Sequence, residues 1–161
     1  MADWLGLAGR PALVVGAGGL GSASALSLVA QGARVVVADR DGERLDAVAR
    51  QAKDAGGQIW PLLADVGTAD GSRAAVEEAT QLVGTLEIFL HAVGRNDRRP
   101  VLELGDDDWQ SILTLNLSTA WWLGQEVGRR MVAAGYGRMA FMSSVSALLA
   151  QQASVVAVVW L

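Results

Sequence analysis

A chain of 161 residues, 52% apolar and 19% charged, suits one domain built on a sheet covered on both faces, whose strands read as continuous apolar runs. A net charge of −4 with no basic block excludes a nucleic-acid footprint, and the lack of cysteine excludes disulfides, thiolate chemistry and Cys-bound zinc. A single histidine, His91, excludes a histidine metal cluster; the acidic start has no basic n-region of a signal peptide, and no apolar run reaches the roughly 18 residues of a membrane span, so a cytoplasmic location is expected.

In chain order, Ala12-Leu13-Val14-Val15 reads as a buried strand closed by Gly16. A small-residue helix over 20–31 follows and stops at Gly32. A β-branched run over 34–38 ends in Asp39. A polar helix over 42–55 carries Leu45, Val48, Ala49 and Ala52 at helical spacing. A third strand over 58–64 leads to Asp65, then a helix over 69–83 turns Ala75, Ala79, Leu82 and Val83 inward. A fourth strand over 86–90 reaches His91, and a loop with Gly94 and Pro100 leads to a long helix over 106–134. Gly135 and Gly137 break that helix before a fifth strand over 138–142, which ends in Ser143-Ser144. This alternation predicts a doubly wound parallel α/β sheet, and right-handed crossovers put its strands in the order 3-2-1-4-5. The whole chain, 1–161, is read as one domain.

The candidate site gathers at the ends of these strands. Gly16, Gly18, Gly19, Leu20 and Gly21 lie between a strand and a helix. There, backbone N–H groups and the helix dipole attract an anion, and a Cβ would keep a pyrophosphate away. A glycine-rich packing turn is the alternative. Asp39 can accept from both hydroxyls of a ribose and repel a 2′-phosphate, which favours NAD over NADP. Arg40, a natural partner of a 2′-phosphate, pulls the other way. Asp65 and Val66 suit an adenine edge and ring face, or Asp65 caps the next helix.

Asn116 sits on the apolar stripe of Trp109, Ile112, Leu113, Ala120, Leu123, Val127 and Met131. A buried amide there needs partners, either to support catalysis or to hold a strand end or a water. Ser144 can hold a substrate carbonyl or cap the next element. His91 reads as a hydrogen-bonded strand-end residue. Trp121 and Trp122 are adjacent and cannot both face one core, so at least one is expected in a contact.

Together these segments resemble the short-chain dehydrogenase/reductase family, from the first strand onward. Gly19-Leu20-Gly21 is similar to the close of its glycine motif, Asp65-Val66 to its adenine-site pair, and Ala92 and Gly94 to its Asn-Asn-Ala-Gly turn. Asn116-Leu117 and the run from Gly135 to Ser146 are similar to its structural Asn and its fifth strand, with Ser144 in place of the catalytic Ser. The resemblance implies a Rossmann-type domain and NAD(P)-dependent oxidation of an alcohol or reduction of a ketone. It also implies association through the helix over 106–134 or the edge strand. The family pattern sets a catalytic Tyr thirteen residues after its Ser and a Lys four later; here those positions are Ala157 and Leu161. The glycine motif is one residue shorter than usual, and the turn reads His91-Ala92-Val93-Gly94. The chain is therefore read as a C-terminally shortened member lacking the family's last strands and helices. It is either impaired as an oxidoreductase or an inactive dinucleotide-binding or association module. Val155 to Leu161 reads as an apolar tail able to pair with the fifth strand or with another chain.

Overall fold

The computed structural model describes residues 3–144, so the expectations for the tail fall outside the described residues. The strands are β1 Pro11–Val15, β2 Arg34–Asp39, β3 Ile59–Leu63, β4 Ile88–His91 and β5 Arg138–Phe141. The helices are α1 Gly19–Ala30, α2 Gly42–Asp54, α3 Ala69–Val83, α4 Asp106–Leu113 and α5 Thr119–Ala134. The strands form one parallel sheet in the order β3-β2-β1-β4-β5, as expected from the alternation.

Strand parity divides the core into two layers. Leu13, Val15, Val36 and Phe89 face one side, packed with Val76, Ala79, Leu123 and Val127 of α3 and α5. Ala12, Val14, Val35, Val37, Ile88 and Leu90 face the other, under Ala25, Leu45, Val48 and Ala52 of α1 and α2. The central strand β1 is fully buried, which explains its unbroken apolar sequence. β5 is exposed along its length and pairs with β4 alone among the described residues.

Two expectations need correction. Leu82 is half exposed, and Val76, six residues earlier, joins Ala75, Ala79 and Val83 on the buried face. The long helix over 106–134 is not a single α-helix. A π-helical turn, Thr114–Ser118, joins α4 to α5. The buried line runs Ile112, Asn116, Thr119, Leu123, Val127, Met131, with Thr119 in the place expected of Ala120. Trp109 is exposed, and Leu113 and Ala120 are only half buried. Trp121 is 65% exposed, while Trp122 is half buried.

Candidate functional site

β1 connects to β2 on one side of the sheet and pairs with β4 on the other. The carboxyl ends of the two strands therefore open a crevice where the strand order reverses. A cavity of about 370 Å3 occupies it, lined by Gly16, Gly18, Asp39, Arg40, Asp65, Val66, Ala92 and Gly94. Eight of the residues singled out from the sequence thus come together at one wall. Arg44, Val93, Arg95 and Leu115 join them and were not foreseen. Arg44 lies in the first turn of α2, just after Arg40 and the Asp41 cap.

The glycines of the first loop have separate duties. Gly16 has φ +104, and a Cβ there would stand 2.6 Å from the Ala92 carbonyl oxygen. A Cβ on Gly21 would stand 1.8 Å from the Gly16 oxygen, so this glycine lets α1 close onto the loop. Gly18 caps α1 and faces open space. No side chain caps this helix, and its first turn holds no acid. The positive end of the helix therefore meets the cavity without a side-chain cap or an acid in its own first turn. Gly19, Leu20 and Gly21 do not line the cavity. Leu20 is 68% exposed and borders a separate apolar groove between α1 and β4–β5.

Asp39 ends β2 half buried. Its Oδ2 accepts from the Ala17 N–H at 2.6 Å and its Oδ1 from the Asp41 N–H at 2.9 Å. Each oxygen keeps a second lone pair. Arg44 is drawn to Asp41 at 3.0 Å on the surface. Asp65 is not the helix cap: Thr68 caps α3 by accepting from Gly71 N–H, and Asp65 accepts from Gly67 N–H in its own tight turn.

At the β4 side, Asn116 clamps the loop. Its Oδ1 accepts from Arg95 N–H at 2.8 Å and its Nδ2 donates to the Arg95 carbonyl at 3.0 Å. The buried amide is satisfied by the backbone of the loop that follows β4. His91 is indeed the last residue of β4, buried against Thr119 with Nε2 2.9 Å from Oγ1. Burial pushes the imidazole down to about 4, so it is neutral near pH 7. Beyond Arg95, the Arg99 guanidinium lies 2.6 Å from Asp97 and holds that carboxyl well below the usual carboxylate range.

Ser144 follows β5 at the carboxyl end of the sheet, the same end as the glycine loop. Tyr136 lies before β5, at the opposite end, where the Arg10 guanidinium covers its ring at 4.3 Å. The sheet separates it from Ser144, so it cannot replace a phenol at the cavity. Among the described residues no group of acids and His91 could hold a metal ion, and no helix is long and apolar enough to cross a membrane.

Residues 10–157 match the family model described as short chain dehydrogenase. The chain belongs to the short-chain dehydrogenase family. Members of this family are oxidoreductases of alcohols and ketones. The short-chain reductase protein NovJ of Streptomyces niveus is 36% identical over 137 residues, 84% of this chain and 52% of its own. A metagenomic short-chain oxidoreductase in complex with NADP is 30% identical, with a TM-score of 0.81 over 86% of this chain and 64% of its own. NAD+-bound xylitol dehydrogenase shares the fold at 24% identity, with a TM-score of 0.87 over 94% and 59%. The chain spans about half the length of the curated relatives it matches. The short-chain dehydrogenase cavity is suited to a nicotinamide dinucleotide on its own geometry, since Gly18 leaves the uncapped end of α1 open to a pyrophosphate.

Proposed function

We propose that this chain binds a nicotinamide dinucleotide, NAD in preference to NADP, as the cofactor of an oxidoreductase acting on an alcohol or ketone. The observation that carries this reading is the convergence of Gly16, Gly18, Asp39, Asp65, Val66, Ala92 and Gly94 on one cavity. Gly18 and the α1 N-terminus take the pyrophosphate. The free lone pairs of Asp39 take the ribose hydroxyls, and Asp65 with Val66 takes the adenine. The same carboxylate repels a 2′-phosphate, while Arg44 is already paired with Asp41. The nicotinamide supplies or accepts a hydride when bound. Ser144 orients the substrate oxygen, and Asn116 holds the β4 loop in place. Ala157 and Leu161 stand where the family pattern has Tyr and Lys, and neither transfers a proton. Turnover by this chain is therefore slow, and binding survives. The site is expected to work in the cytoplasm.

Thermal unfolding with and without NADH tests the reading. A ligand at a hundredfold excess over its dissociation constant raises stability by about 2.7 kcal/mol. A cooperative transition that moves upward with NADH, and less with NADPH, supports it. A transition that ignores both dinucleotides removes it.

A second reading, self-association, draws on two exposed side chains four residues apart, Leu117 of the π turn and Trp121 of α5. Sedimentation across a concentration series separates it from a monomeric binder. The exposed edge of β5 offers the other surface for such pairing.

A further inference from the structure

Among the described residues of β4 and α5, the buried polar side chains are His91 and Thr119, both essentially inaccessible to solvent and in contact with each other. The direction of the bond follows from its neighbours. The π turn sends Thr119 N–H to the Thr114 carbonyl, five residues back. The Thr119 hydroxyl donates instead to the Leu115 carbonyl at 2.7 Å. A hydroxyl has one proton, so at 2.9 Å from His91 Nε2 it can only accept, and the imidazole carries its proton on Nε2.

The next residue on the π turn, Asn116, is the one that holds Arg95 by both backbone groups. These contacts close a ring: His91, the chain through 92–94 to Arg95, Asn116, Leu115, Thr119, and back to His91. The three residues inside the ring, Ala92, Val93 and Gly94, line the cavity, as do Arg95 and Leu115. An apolar pair at 91 and 119 would pack this layer at least as well. A polar pair supplies what an apolar one cannot: a fixed register between the end of β4 and the π turn.

We propose that His91 is a positioning residue that, through Thr119 and the π turn, sets the β4-side wall of the dinucleotide cavity. The proposal rests on the dinucleotide reading for its consequence but not for its geometry. The test uses two readouts on the full chain: amide hydrogen exchange at 92–95 in the free protein, and the dissociation constant for NADH.

His91→Leu and Thr119→Val each remove the bond while keeping similar volume. Each is expected to speed exchange of the Arg95 amide about fivefold, the equivalent of one ordinary hydrogen bond. Each also weakens NADH by a similar factor. The double variant is no worse than the poorer single one, because both break the same link. His91→Gln, whose amide nitrogen reaches the place of Nε2, restores both values. A folded His91→Leu or Thr119→Val with native exchange at Arg95 overturns the proposal; if His91→Leu does not fold, Thr119→Val decides. Wild-type protein that ignores NADH while Arg95 responds to both substitutions retires the dinucleotide reading and leaves the positioning role standing.

Discussion

The Oδ2 atom of Asp39 accepts a hydrogen bond from the Ala17 backbone N–H at 2.6 Å, so the end of β2 and the glycine loop after β1 move as one unit. The carboxylate that would meet the ribose is also the brace of the loop that would meet the pyrophosphate. Asp39→Ala strands the N–H groups of Ala17 and Asp41. The expected cost is roughly 1–3 kcal/mol, a fall in melting temperature of roughly 2–4 °C per kcal/mol in a chain of this size. Asp39→Asn keeps one acceptor oxygen and is expected to fall between the two. NADH titration should show both variants weakened; a variant with unchanged melting and unchanged affinity would mean the brace is idle.

Gly18→Ala and Gly21→Ala are expected to fail differently. A methyl at Gly18 meets nothing within 4 Å, so the variant folds, with only the modest loss of placing Ala at the N-cap of α1. It fills the approach to the end of α1, and NADH binding should drop at least about tenfold. A methyl at Gly21 collides with the Gly16 carbonyl, and that variant loses stability directly. Melting curves and calorimetric titration of the two proteins check this; equal binding by Gly18→Ala and the parent would move the pyrophosphate elsewhere.

Stability should fall between pH 6.5 and about 4 through His91. The unfolded chain takes a proton on this imidazole near 6.5, whereas the folded chain refuses it until about 4. The unfolded state binds more protons inside that window, so acid favours it, and the contribution is fully lost below the window. Its size is about 3 kcal/mol. Urea midpoints measured from pH 7.5 to 4 should decline more steeply for the parent than for His91→Gln. Parallel declines would assign the acid sensitivity to the carboxylates.

Asn116→Leu removes both bonds to Arg95 and leaves that buried-side N–H and carbonyl to find other partners. The expected loss is about 2 kcal/mol. Limited proteolysis should cut first within 95–100, just beyond the clamp. A cleavage pattern identical to the parent would show the loop held by the Asp97–Arg99–Asp108 ion pairs alone.

Most of the fold was legible because its signals are local and repeated. Apolar β-branched runs such as Val35-Val36-Val37 can be buried on both faces only in a covered parallel sheet. The line of cavity residues followed from the same logic, since each lies at or just after the end of a strand. The π turn was not legible. Its cause is a long-range pairing, Asn116 with Arg95 and Thr119 with His91, and helical periodicity on one segment carries no trace of it. Arg44 and Arg95 do not stand out in the sequence, because an arginine on a helix or loop looks like any solvated charge until the strands bring it to a wall.

The pairing of β1 with its two neighbours has a consequence for how the molecule is made. Val15 faces Ala38 on one side, a short way along the chain, and His91 on the other, far along it. β1 through β3 emerge from the ribosome together and close on one another through near contacts, which form fast. The β4 flank of β1 stays bare until the far segment arrives. During that interval the central strand is an edge, and the first part of the chain must remain soluble with its most apolar row uncovered.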